Sequence, residues 1–108
     1  MSGTKQPIAC RLDALSPDER RRQQTLRQNL EAALESVREA RDGFVVTYRD
    51  GADVFRQAAE WLTLERRCCP FLDFELAWRS DSPSPTLCLR SEDPAAKAFI
   101  AETFLPTS

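Results

Sequence analysis

The 108-residue sequence contains no histidine. That absence removes Ser–His–Asp and Cys–His catalysis, imidazole proton shuttling and every His-ligated metal site. Glycine is scarce, at 3, which excludes the glycine-rich loops that cradle phosphates. No window approaches the ~20 apolar residues of a membrane-spanning helix. The opening MSGTKQPIACRLDAL lacks the apolar core of a signal peptide. An excess of either charge is missing too. With 15 Lys+Arg against 17 Asp+Glu the net charge is −2, which argues against a general nucleic-acid-binding surface.

What is present is 42% hydrophobic and 30% charged, the mix of a globular chain long enough for one domain with its own core. Repeats, low-complexity tracts and dividing linkers are lacking, so residues 1–108 read as a single domain, with 1–6 expected to be disordered. A cytoplasmic setting is expected, and thiols stay reduced there. Cys10, Cys68, Cys69 and Cys88 therefore suggest metal or redox chemistry more than a disulfide framework. The competing explanation is that they are small buried hydrophobes.

Ile8 to Leu12 alternates apolar and polar residues and reads as a short strand with Ile8, Cys10 and Leu12 on its buried face. Ser16-Pro17-Asp18-Glu19 is a helix start: serine caps, proline takes the first helical position and Glu19 closes a capping box. Leu26, Leu30, Ala33, Leu34 and Val37 carry one apolar stripe onward to about Arg41, and Gly43 supplies the stop. At ~1.5 Å per residue this first helix would be roughly 37 Å long, more than a small domain needs. Its Arg20-Arg21-Arg22 run, flanked by acids, reads as a solvated helix end.

Phe44 to Arg49 is β-branched and aromatic, a strand. A second helix is expected from Ala52 to Cys68, ended by Pro70, because a residue before proline is pushed out of helical geometry. Phe71 to Arg79 alternates, placing Leu72, Phe74, Leu76 and Trp78 on a buried face, as in an antiparallel strand. The loop 80–85 leads to a return strand, Thr86 to Arg90, where Cys88 lies opposite Leu87 and Leu89 on the back or surface face. Asp93-Pro94 then caps a final helix bearing Phe99, Ile100 and Phe104. The expected fold is α+β, a two-layer sandwich in the order β-α-β-α-β-β-α. Its helices would cover one face of a small, mainly antiparallel sheet.

The chemistry concentrates in Glu65-Arg66-Arg67-Cys68-Cys69-Pro70-Phe71. On a helical wheel Val54, Phe55, Ala58, Trp61 and Leu62 define the apolar arc, and Glu65 falls near its middle. Cys69 lies one turn on, and Cys68 sits at the edge beside Trp61. A buried carboxylate needs a partner or a proton. Arg11 or Arg49 could supply the partner, whereas Arg66 and Arg67 point elsewhere. A purely structural ion pair with space-filling cysteines is one outcome.

The other outcome is a site for a soft ion such as Hg(II), As(III), Cu(I) or Cd(II), since thiolates prefer soft metals. Cys68 and Cys69 would be primary ligands, Cys10 a third sulfur, and Glu65 a nearby acceptor of the thiol proton. Zinc fits less well without histidine. Redox catalysis is a weaker reading. A helix C-terminus and a carboxylate both disfavour a thiolate, and reactive thiols favour cationic surroundings.

At this motif the sequence resembles a family of small uncharacterised bacterial proteins. In that family an apolar helix ends in glutamate, two residues, then Cys-Cys-Pro-Phe and an alternating strand, here Trp61 to Leu76. The likeness extends to the I-x-C-x-L segment, Ile8 to Leu12. Such proteins are often encoded near mercury or arsenic resistance functions, and similar segments are attached to metal-responsive regulators. The resemblance implies metal or metalloid handling, with Cys10, Glu65, Cys68, Cys69 and Pro70 as matching positions. Cys88 has no counterpart in the pattern.

The leading expectation is therefore a cytoplasmic, non-enzymatic protein that binds a thiophilic metal or metalloid through vicinal cysteines. The alternative is an interaction module that forms a homodimer or docks through the long first helix. A thiol-dependent redox enzyme ranks last.

Overall fold

The computed structural model describes Arg11 and residues 13–105. Within these the order is α-β-β-α-β-β-α rather than the expected β-α-β-α-β-β-α. The proposed first strand, Ile8 to Leu12, lies outside the described residues except for Arg11, which belongs to no element. Cys10 and the expected disorder of 1–6 also fall outside them.

Helix α1, Pro17–Ala32, starts as the sequence dictates. Ser16 Oγ accepts from the Glu19 N–H at 3.1 Å and Glu19 Oε1 accepts from the Ser16 N–H at 2.9 Å, a reciprocal capping box. It ends nine residues before the expected Arg41, and strand β1, Leu34–Ala40, takes over. The stop comes from far along the chain. The Arg49 guanidinium donates to the Ala32 carbonyl, and the Arg49 N–H donates to that of Ala33 at 2.9 Å. These bonds satisfy carbonyls that a helix end leaves open. The chain from Leu34 then pairs antiparallel with strand β2, Gly43–Tyr48, up to Ala40↔Gly43 around the turn at Arg41-Asp42. Gly43 is thus not a helix stop. A Cβ there would sit 1.9 Å from the Leu89 carbonyl oxygen of the next strand, so only glycine permits that approach.

The early end of α1 removes the premise of a helix too long for its domain. Leu26 and Leu30, on the apolar stripe of that helix, are buried in the protein's own core.

Helix α2 spans Ala52–Cys68 and strand β4 spans Thr86–Arg90, both at the expected bounds. Strand β3 is shorter than expected, Asp73–Ala77, and helix α3 runs from Pro94 to Thr103 behind an Asp93 cap. The four strands form one antiparallel sheet in the order β1-β2-β4-β3. Phe44, Val46, Tyr48, Leu87 and Leu89 meet Leu26, Leu30, Ala58, Trp61 and Ile100 in one core. Each large side chain buried in this way contributes roughly 1.5–3 kcal/mol. The helices cover that face alone. Val45, Thr47, Cys88, Glu75 and Ala77 remain half-buried or exposed on the other. The α+β, two-layer architecture with helices on one sheet face is as expected.

Trp78 departs from the expected alternation. Beyond the end of β3 it is 41% exposed, stacks on Phe55 at 5.2 Å and donates its indole N–H to the Pro83 carbonyl at 2.9 Å. Among the described residues no helix is long and apolar enough to cross a membrane.

Candidate functional site

Pro70 fixes the end of α2. The residue before it, Cys69, leaves helical geometry at φ −124° and ψ 70° while its N–H still donates to the Glu65 carbonyl at 2.7 Å. The last carbonyls find partners as well. That of Cys68 accepts from the Arg11 N–H at 2.8 Å and that of Cys69 from the Leu72 N–H at 3.2 Å. Arg67 stands outside, bonded to Glu19 at 2.6 Å and to the Ala14 carbonyl at 2.8 Å, which clamps the start of α1 to the end of α2.

Glu65 is buried, at 3% exposure, between the two helices. Neither arginine expected to neutralise it does so: Arg49 caps α1, and Arg11 reaches the site through its backbone. Its hydrogen-bond partners among the described residues are neutral. Oε2 accepts from Gln23 Nε2 of α1, and Oε1 accepts from Cys69 Sγ at 3.9 Å. The same Gln23 amide donates to Cys68 Sγ at 3.8 Å, so one side chain joins the carboxylate to the second thiol. Burial raises the Glu65 carboxyl to about 6, against the opposing pull of Gln23, the Arg27 charge and Cys69. Glu65 is thus poised to exchange a proton near neutrality.

Cys69 is fully buried and Cys68 is 6% exposed. They differ in outlook. Cys68 and Glu65 line a pocket of about 170 Å³ together with Arg20, Gln23, Gln24 and Arg27 of α1 and Thr103 and Phe104 beyond them. Cys69 does not line it. Cys88 lies on the sheet face that the helices leave open, opposite Val45 and Glu75, and its Sγ accepts from Arg90 Nη2 at 3.8 Å. The structure therefore brings Glu65, Cys68 and Cys69 together, while Cys10 falls outside the described residues. Among the described residues no three Cys, Asp or Glu side chains converge as a metal-holding group.

Gln23, Arg20 and Arg27 were not picked out from the sequence. Gln23 had a legible signal: it lies three and seven residues before Leu26 and Leu30, a polar residue on the apolar stripe. Compared with known protein families, curated proteins and solved structures, the chain gives no match.

Proposed function

We propose that this protein binds a thiophilic metal or metalloid ion, with Cys68 as the pocket-facing ligand and Cys69 and Cys10 as further sulfur donors. One observation carries the reading: a buried carboxylate, Glu65, contacts Cys69 directly and Cys68 through Gln23, beside a pocket that opens onto Cys68. Thiols must lose protons as a soft ion enters. A carboxyl held near 6 by burial is a suitable acceptor at that position.

The family resemblance at Glu65, Cys68, Cys69 and Pro70 agrees with a role in heavy-metal resistance or sensing, in a reducing cytoplasm. The interaction-module reading has lost its main argument with the long helix. The test is an absorbance titration of the reduced protein with Hg(II), As(III), Cu(I) and Zn(II), following the sulfur-to-metal charge-transfer band. A band saturating at one ion per chain, and lost in Cys68→Ser, supports the proposal. Equal bands in wild type and variant contradict it.

A further inference from the structure

The sheet face that the helices leave open has an uncharged centre and a polarised rim. Across its middle Arg38 of β1, Val45 of β2, Cys88 of β4 and Glu75 of β3 stand side by side in register. On the two inner strands Val45, Thr47, Thr86 and Cys88 are half-buried and carry no charge. A sheet face that stays wet ordinarily reads as polar-out alternation, whereas a centre depleted of charge within a polar rim is the anatomy of an interface. Arg90, at one end of β4, is held by Glu75 at 2.8 Å and by Asp42 at 3.8 Å.

The two edges of the face differ in sign. Arg38 is exposed on β1, and its side chain makes no hydrogen bond or ion pair among the described residues. On β3 the exposed acids Asp73 and Glu75 face the same way, and Glu75 keeps 65% of its side chain in water despite its bond to Arg90.

We propose that this face pairs with the same face of a second copy of the chain, about a two-fold axis parallel to the strands and passing between β2 and β4. Charge selects that axis. It lays β1 over β3 of the second copy and β2 over β4, so Arg38 meets Glu75 twice, reciprocally, and Val45 meets Cys88. A two-fold axis running across the strands would set Arg38 on Arg38 and Glu75 on Glu75, which like-charge repulsion disfavours. Packed sheets lie about 10 Å apart and turn about 30° on one another, a displacement that an arginine side chain can follow. The contact is isologous and closes at two copies. Both helix layers then face outward, so the pocket at Cys68 stays open and the pairing is independent of ion binding. The face spans about 17 Å along the strands and about 19 Å across them, at the low end for a specific interface, so the dimer depends on concentration.

Sedimentation velocity of the reduced full chain over a concentration series tests this, with circular dichroism to establish that each variant is folded. The expected result is a monomer–dimer equilibrium that weakens with salt. Arg38→Glu and Glu75→Lys should each weaken association about ten-fold, because each sets like charges across both reciprocal contacts. The double exchange should restore it, which a loss through misfolding or through the Arg90 bond would not. Val45→Asp should leave a monomer. As a second readout, alkylation of Cys88, mapped by peptide mass, should slow as the wild-type concentration rises and stay constant in Val45→Asp. A monomer at every concentration overturns the proposal. So does a dimer that Arg38→Glu and Val45→Asp leave intact, or a loss in the single exchanges that the double exchange does not rescue.

Discussion

Cys69 Sγ lies 3.9 Å from Oε1 of Glu65, one helical turn back, and both side chains are almost wholly removed from water. This pairing decides the character of the site. A carboxylate buried against a cation would be a structural ion pair with a lowered proton affinity. Here the partners are a thiol and an amide, burial wins, and the carboxyl is raised to about 6. The helix terminus therefore holds a strained charge beside two thiols.

The first prediction concerns pH. The Glu65 carboxyl ordinarily titrates at 4.5 and in the folded state at about 6, so between those values the folded protein binds more protons than the unfolded chain. Stability from this group is then full below 4.5, falls as pH rises toward 6 and levels off beyond it. Glu65→Gln should be more stable than wild type by about 2 kcal/mol at pH 7, the difference closing near pH 4.5. Urea unfolding across that range checks it. A variant less stable than wild type at pH 7 would show that the carboxylate is favourably paired after all.

The two vicinal cysteines should respond differently to serine. Cys69 is fully buried, and a hydroxyl there is poorly placed to reach Glu65, so Cys69→Ser should cost about 1–3 kcal/mol. Cys68 borders the pocket and Gln23, so Cys68→Ser should cost less than Cys69→Ser while removing ion binding. Denaturant midpoints together with ion titrations separate the two effects. Equal stability losses would contradict this division of roles.

Gly43→Ala tests the sheet. Its Cβ would meet the Leu89 carbonyl oxygen at 1.9 Å, backbone that cannot swing aside. Forcing β2 and β4 apart should destabilise the protein on the order of 3 kcal/mol, read as a lowered thermal midpoint. A neutral substitution would mean that the strands do not approach as described.

Much of the fold was legible because its signals are local. The Ser16 capping box, the Pro70 stop and the Asp93 cap each announce an element boundary within four residues, and α2 and β4 fall where they point. The segment from Leu34 to Ala40 was not legible. Leu34 and Val37 continue the stripe of α1, and Glu35, Arg38 and Glu39 are good helix formers. The deciding bonds come from Arg49 and from pairing with β2, both set by tertiary structure.

The site divides the same way. Glu65 stands out as a charge on an apolar arc, with Cys68 and Cys69 following from the wheel. Gln23 and Arg27 join it only because α1 packs beside α2, as further cross-links such as Arg22 to Glu60 at 2.7 Å and Asn29 to Gln57 at 2.8 Å attest.

The most direct measurement is native mass spectrometry of the fully reduced protein under anaerobic titration with As(III), Hg(II), Cu(I) and Zn(II), beside the Cys68→Ser/Cys69→Ser and Cys10→Ser variants. The account predicts one tight adduct per chain with a soft ion, lost in the double variant and weakened in Cys10→Ser. Equal uptake by wild type and the double variant would contradict it.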